Sequence, residues 1–404
     1  MRWAFAAATT LILAGCGSAN PNDQWLGVVD TLPSGVVRVS NPAQGIWGNE
    51  SGWRLVPELA LGELDSPEAL VFSSISSLAV GDDGRIYALD RASNELRIFS
   101  PEGEHLRTVG RSGGGPGEYR GANGLLWLAS DTLVVIDQRG ERYTILTGDG
   151  EIVRAVPRQL RFYGWVFSGS VIGDRLYERA FVASQTPVGD ETDRRVAFIG
   201  TSLRADQELL AGRDTVLVPV PGFLPPGYFS VQTKNGGGMS MTIPFTTGPM
   251  YHLDPHGSIW LGNGREFRLT RTSMAGDTIM DLVLDAEPTA VTQEDLAEWE
   301  KDPGVQRFLE MGGDLDRSRI PAVKPFFEMV YVDPDGNLWA SVPSGPEETA
   351  FAVFDSAGRY LGRLEANGFK RNVYIPPVVR NDRLYVVGSD NLDVPKVYVF
   401  RIVR

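Results

Sequence analysis

Several groups of residues in the 404-residue chain have types and spacings that bear on chemistry. The run Gly110-Arg-Ser112-Gly-Gly114 has the Gly-x-Ser-x-Gly spacing of a nucleophile elbow, in which a strand–turn–helix bend presents a serine hydroxyl. Here the serine precedes more glycines and a proline, lies between two strand-like runs, and has no histidine following nearby. The glycines more simply allow positive φ in a sharp crossing between sheets. Asp82-Asp-Gly84 and Asp333-Pro-Asp-Gly336 resemble fragments of calcium loops, but they lack the full ligand spacing and read as hairpin turns. Histidine is scarce: His105, His252 and His256 are the three in the chain. His105 opens a strand-like run, where a solvated side chain is expected. Cys16 is the single cysteine, so neither an internal disulfide nor a thiolate metal cluster can form. These groups point to no catalytic residue, no metal ligand and no cofactor.

The bulk numbers narrow the classes further. Lys and Arg total 38 against 51 Asp and Glu, a net charge of −13. Phosphate repulsion then argues against binding nucleic acid. An apolar content of 42% supports a packed core, and 46 glycines with 26 prolines suit a chain of many tight turns.

The elements that must position any site come as repeats. Residues 78–156 hold two copies of one unit, each reading as four short strands of alternating apolar residues broken by Asp-Gly, Glu-Gly or Ser-Asp turns. A turn followed by Leu or Ile and then an aromatic or branched residue recurs at Tyr87, Val134, Tyr177, Trp260, Trp339 and Tyr385, in steps of 47, 43, 83, 79 and 46 residues. The two long steps contain no further signature and read as insertions, which leaves six units. A four-stranded unit cannot bury both faces alone and must stack on its copies. The last unit supplies only three strands before the chain ends, whereas residues 53–61 form a strand with no hairpin partner. Pairing the two closes a ring and removes both open edges. The predicted fold is all-β: a six-bladed β-propeller over residues 53–404, closed by an N-terminal strand, with a short helical insertion at about 289–313.

Residues 1–15 read as a signal peptide. Arg2 is followed by an apolar run over residues 4–13, too short to span a bilayer. Leu13-Ala-Gly-Cys16 then resembles the lipobox of bacterial lipoproteins. The resemblance implies cleavage before Cys16, diacylglycerol on its sulfur and membrane attachment through that lipid. An ordinary secretory signal is the alternative. Gly17 after the cysteine favours outer-membrane sorting. Residues 16–52 are expected to be a tether and irregular lead-in, with a short strand at 35–40.

Gly113-Gly-Gly-Pro-Gly-Glu-Tyr119, following a strand that ends in Thr-Val-Gly, resembles the Gly-Pro-Gly-Glu-aromatic signature of NHL-type repeats. Residues 53–404 resemble the bacterial 6-bladed β-propeller lipoproteins, an NHL-like family. That resemblance implies the propeller fold and little about activity.

In such a blade the chain starts beside the central channel and works outward. Tight turns fall on one face, whereas the long segments 111–121, 182–195, 213–245, 287–323 and 343–349 all fall on the other. One of them is helical. Thr292 with Asp295 can cap a first helix, and Asp302-Pro303 can start a second whose stripe is Val305, Phe308 and Leu309. The inner strands are expected to begin near Ser74, Ser76, Asn123, Tyr163, Thr246, Thr247, Lys324 and Asn372, with no prominent carboxylate among them. Ligands of propellers gather at the channel mouth. The candidates nearest it are Arg111, Glu118, Arg120, Asn123, Tyr163 and Lys324. Three of these are basic, which suggests an anionic or carbonyl-rich ligand. Alternatively, Arg111, Glu118 and Arg120 only pair among themselves to hold the glycine-rich crossing. The expectation is a monomeric, lipid-anchored, non-catalytic propeller of the cell envelope that binds a ligand, glycan or envelope protein. A metal-dependent propeller hydrolase, lactonase- or esterase-like, is the alternative.

Overall fold

The computed structural model describes residues 25–47, 52–64, 70–128, 130–158, 160, 169–182, 195–203, 214–218, 227–232, 236–345 and 347–404. They form six sheets, antiparallel but for one parallel pair at the edge of the six-stranded sheet, with a separate two-stranded hairpin, the arrangement of a six-bladed propeller. Blade 1 consists of Ile75–Val80, Ile86–Asp90, Glu95–Phe99 and His105–Val109. Blade 2 consists of Ala122–Leu128, Thr132–Asp137, Arg142–Thr147 and Ile152–Pro157. Blade 3 consists of Gly169–Ile172, Arg175–Val182, Arg195–Ser202 and Asp214–Leu217. Blade 4 is Met250–Leu253, Ser258–Gly262, Arg268–Ser273 and Thr278–Leu284; blade 5 is Met329–Val332, Leu338–Val342, Glu348–Phe354 and Tyr360–Asn367. Blade 6 has Val378–Arg380, Arg383–Ser389 and Pro395–Val403 from the end of the chain, and Arg54–Leu61 as its outer strand.

The second strand of each blade lies between neighbours on both faces, so it reads as a run of apolar residues. The six aligned positions Tyr87, Val134, Tyr177, Trp260, Trp339 and Tyr385 are all at most 5% exposed. Six apolar clusters fill the six blade-to-blade contacts. Turn chemistry is equally regular. Asp254 Oδ1 accepts from the His256 and Ser258 amides at 2.9 Å each, and its Oδ2 accepts from Trp260 Nε1 at 3.0 Å. Asp333 does the same for Asn337 N (2.8 Å) and Trp339 Nε1 (3.0 Å). Gly257 and Gly336 sit at φ of 83° and 86°, where a side chain would be strained. The calcium-like look of Asp333-Pro-Asp-Gly is thus explained: the Asp333 carboxylate is already engaged by its own hairpin.

Closure follows the expected pairing. Arg54–Leu61 runs antiparallel to the C-terminal strand, with Val397 opposite Leu61, Tyr398 opposite Ala60 and Ile402 opposite Leu55. Pro57, which cannot donate to the ladder, falls where the register shifts between Val399 and Phe400.

The lead-in departs from the expected tether. Val28–Thr31 and Val37–Asn41 form a hairpin, and the second strand lies parallel to Thr278–Leu284, extending blade 4 to six strands. Residues 41–47, expected to be irregular, are held in place. Asn41, 3% exposed, donates to Val283 O and Gly358 O and accepts from the Tyr360 amide, so one side chain joins blades 4 and 5. Ile46 N and Trp47 N donate to Tyr360 O and Leu361 O at 3.1 and 2.7 Å. The segment before the closing strand is therefore a strap along three blades. Its hairpin is local, but the bonds that fix its place on the ring run to distant strands.

The two insertions meet each other. Tyr228–Gln232 and Gly238–Thr242 pair as a hairpin. Helices α1 (Gln293–Glu300) and α2 (Pro303–Glu310) pack on it through Phe229, Val231, Ile243, Phe308 and Trp299. The capping box is present: Thr292 Oγ1 accepts from Asp295 N, and Asp295 Oδ2 accepts from Thr292 N. Val305 and Phe308 are buried, whereas Leu309 is 39% exposed and lies outside the stripe, because the buried side faces the hairpin rather than a blade.

Candidate functional site in the central channel

A cavity of about 600 Å³ lies between the inner strands, and all six blades line it: Ser77, Leu126, Gly169, Tyr251, Val330 and Val378 come from blades 1 to 6 in turn. Its lining is mostly apolar, with Ser77, Arg179, Tyr251, His252, Glu328, Tyr331 and Tyr374 as the residues that bring polar side-chain atoms. A few placed polar groups in an apolar, concave wall of this size are what small-molecule sites present. A second cavity, about 260 Å³, opens under α1, between Asp295, Glu298 and Trp299 and the loop at 343–345. Glu328 lines both cavities.

Helix α1 is tied down over this mouth. Lys324 Nζ donates to Asp295 Oδ1 at 2.7 Å, and Lys370 Nζ donates to Glu298 Oε1 at 3.2 Å. Burial would raise the Asp295 carboxyl, but the Lys324 and Thr292 hydrogen bonds outweigh it and hold it below the ordinary range.

Arg371 reaches the mouth because the inner strand of blade 6 is interrupted. Lys370–Arg371 pairs with Gly388 and Ser389, the chain then turns through 372–377, and Val378–Arg380 resumes the ladder. Its guanidinium donates to Ser341 Oγ (2.7 Å), Thr349 Oγ1 (3.4 Å) and the Tyr331 hydroxyl (2.8 Å), and lies 5.2 Å from the centre of the Phe351 ring. Hydroxyls, not carboxylates, hold this cation.

Glu328 is exposed to the cavities yet walled by protein on nearly every side. Burial raises its carboxyl pKa, opposed by the fields of Arg371 and Lys324. Among the described residues it makes no side-chain hydrogen bond and no ion pair.

His252 faces the same channel. Burial lowers its pKa to about 4 against a smaller opposite effect of Asp254, and its Nε2 has no partner among the described residues. A folded-state pKa below the unfolded one means that the unfolded chain takes up the proton first. The native state is therefore unpenalised above pH 6.5 and loses stability as pH falls from 6.5 toward 4. The limit is roughly 3 kcal/mol, at about 1.4 kcal/mol per pH unit. Urea melts of the native protein and His252→Phe should diverge over this window and run parallel above pH 7. Parallel curves throughout would show that the ring is not held neutral by burial.

The residues expected at the mouth are dispersed. Lys324 lines the mouth cavity. Arg111 and Glu118 pair with each other, Nε to Oε1 at 2.9 Å, and Glu118 Oε2 accepts from Gly115 N at 2.8 Å. The Gly115 amide and then Arg111 lower the Glu118 pKa. This is the arrangement in which the two hold the glycine-rich crossing. Arg120 packs on the same crossing, so close to Gly114 that a Cβ there would meet Nη2 at 2.6 Å. Asn123 is 4% exposed and donates to Gln138 Oε1 at 3.1 Å. Tyr163 and Cys16 lie outside the described residues. Ser112 Oγ accepts from Asn94 Nδ2 at 2.9 Å within the crossing. His105 is exposed and bonds Thr108 Oγ1, as a solvated strand residue does.

Glu328 and Arg371 are missing from the sequence-based candidates because two inner strands begin later than their flanking residues suggest. Blade 5 begins at Met329 rather than at Lys324, and blade 6 has its ladder broken by 372–377. The signal in the sequence is the Met329-Val-Tyr-Val332 alternation, immediately preceded by a carboxylate.

Residues 63–142 match the model of a family, DUF5128, described as a 6-bladed beta-propeller. No curated protein matches the chain. Among solved structures, a member of the DUF4221 family from Bacteroides vulgatus is similar with a TM-score of 0.51 at 13% identity, over 87% of this chain and 99% of that one. Virginiamycin B lyase from Staphylococcus aureus is similar with a TM-score of 0.42 at 10% identity, over 87% of this chain and 100% of that one. At such identities the first likeness speaks to fold alone. Together with the six sheets and their closing strand, it leads to one conclusion: the chain is a six-bladed β-propeller.

Proposed function

We propose that this protein is a binding propeller of the cell envelope, held to a membrane by lipid on Cys16, which takes a ligand into its central channel without transforming it. One observation carries the binding reading: a single apolar-walled cavity to which all six blades contribute, with the Glu328 carboxyl, which has no side-chain partner among the described residues, on its wall. Among the described residues no three His, Cys, Asp or Glu side chains are grouped to hold a metal ion.

Channel occupancy is testable with a neutral apolar fluorophore such as N-phenyl-1-naphthylamine. Gly248 lines the channel and has an ordinary φ, and a Cβ added there would meet no heavy atom within 4 Å. Gly248→Trp should fill the cavity and weaken dye binding at least tenfold, with Tm within a few degrees of the native protein. Undiminished binding would place the site elsewhere. The anchor has its own test. Cys16→Ser should leave the protein unacylated and in the soluble fraction. A variant that still sediments with membranes after a salt wash would refute acylation at Cys16.

A further inference from the structure

Charges around the mouth are unevenly satisfied. Lys324 is paired with Asp295, Lys370 with Glu298, and Arg371 is held by three hydroxyls. Glu298 has Lys301 as well, at 3.0 Å, and Glu348 Oε2 accepts from Gly345 N at 3.2 Å. Glu328 alone of these groups has a carboxyl with no partner, and it stands where the two cavities meet. The missing complement at this point is thus a hydrogen-bond donor or a cation, not an anion.

The walls agree. Tyr251, Tyr331 and Tyr374 line the channel with Met250 and Met329. Tyr251 and Tyr331 already carry the guanidiniums of Arg179 and Arg371 over their rings, 5.6 and 5.8 Å from the ring centres, which leaves Tyr374 as the ring open to a ligand cation. Rings of this kind attract an ammonium through their negative faces, and more strongly where water is excluded. The chain carries a net charge of −13, which raises the local concentration of cations and lowers that of anions.

We infer that the channel ligand is an organic ammonium: an apolar body lying among the channel tyrosines and methionines, with its charged nitrogen on the Glu328 carboxylate. This rests on the channel being a binding site, as proposed above, and it replaces the anionic ligand suggested by the basic residues of the sequence. The fields of Arg371 and Lys324 only partly offset what the surroundings cost the ionised form of Glu328, and neither group hydrogen-bonds to it. An ammonium supplies a direct partner and makes this cavity-facing carboxylate a discriminating group.

Three probes of one skeleton test it by calorimetry on the full chain: 4-phenylbutylamine, 4-phenylbutanol and 4-phenylbutyrate at pH 7.5. The amine should bind at least tenfold more tightly than the alcohol, and the butyrate most weakly. Glu328→Gln keeps the shape and removes the charge. It should bring the amine to within about twofold of the alcohol and leave the alcohol and the dye unchanged, with an unchanged Tm showing that the variant is folded. Tighter binding of the butyrate would overturn the inference in favour of Arg371 or Arg179 as the reading group. Equal binding of all three, or an amine preference that survives in Glu328→Gln, would overturn it while leaving the channel intact as an apolar site. Absence of binding by any of the three, with the dye still bound and still displaced by Gly248→Trp, would likewise overturn the ammonium and spare the channel. Loss of dye binding to the native protein would remove the channel reading itself.

Discussion

Removing residues 53–61 should abolish the soluble, cooperative fold. Seven residues of the C-terminal strand, Val397 to Val403, take their outer partner from this segment. Without it the last blade exposes a ladder edge nine residues long and rich in Val, Phe and Ile, the kind of edge that pairs with other chains. Side chains are lost as well. Leu61, 4% exposed, belongs to the cluster between blades 6 and 1, and Glu58 holds Arg383 and Arg401 at 2.6 and 3.0 Å. Trp53 packs on Trp47 and on Trp339, with ring centres 5.0 and 6.2 Å apart. The deletion should appear in the insoluble fraction on expression, with no monomer peak on gel filtration. Leu61→Ala gives a graded version: a core Leu-to-Ala change costs about 2–5 kcal/mol and should lower the urea midpoint accordingly. A monodisperse deletion variant that melts like the native protein would show that the ring does not depend on this strand.

That strand was legible because two independent patterns had to meet, a lone strand near the start and a three-stranded blade at the end. The blade count was legible for a similar reason. Each second strand is buried on both sides, so Tyr87, Trp260 or Tyr385 marks it whatever the rest of the blade does. The strap was legible only in its one expected strand, at 35–40. Val37–Asn41, the strand expected at 35–40, lies on the free edge of blade 4, but nothing local says which edge it takes; Val28–Thr31, which pairs with it, has all four side chains exposed, so no alternation marks it. The site was not legible. A channel residue is defined by where an inner strand starts, and start points shift by several residues when an insertion precedes the strand. In blade 5, Ala290 and Val323 bridge to each other and Lys324 N bonds Thr289 O, so the neck of the helical insertion imitates a strand start. The carboxylate that matters comes four residues after Lys324, at Glu328.

The same limit applies to a buried charge cluster between blades 2 and 3. Glu178 and Arg158 have side chains 1% and 3% exposed, and Arg158 Nε donates to Glu178 Oε1 at 3.0 Å. The Tyr143 hydroxyl donates to the other carboxylate oxygen, and Arg158 Nη1 to Leu160 O at 2.8 Å. Burial, reinforced by the neighbouring Glu178 charge, pushes the Tyr143 phenol well above its ordinary range, so the tyrosine remains a donor at every physiological pH. Nothing in Arg175-Leu-Tyr-Glu178 distinguishes this glutamate from a solvated one; it is buried because blade 2 covers it. Taking away one partner strands the other charge in a dry contact. Glu178→Leu should therefore cost about 3–5 kcal/mol, and Arg158→Met about the same. The double variant should recover most of that loss, because the cost lies in the unpaired charge rather than in the absent pair. Urea unfolding of the four proteins gives the coupling directly. Channel binding adds a second readout: Glu178 adjoins Arg179, which lines the cavity from the same strand. The single variants should weaken dye binding in step with their loss of stability, and the double variant should restore it. Single variants within about 1 kcal/mol of native would mean that the cluster is hydrated and the contact between blades 2 and 3 rests on its apolar residues alone.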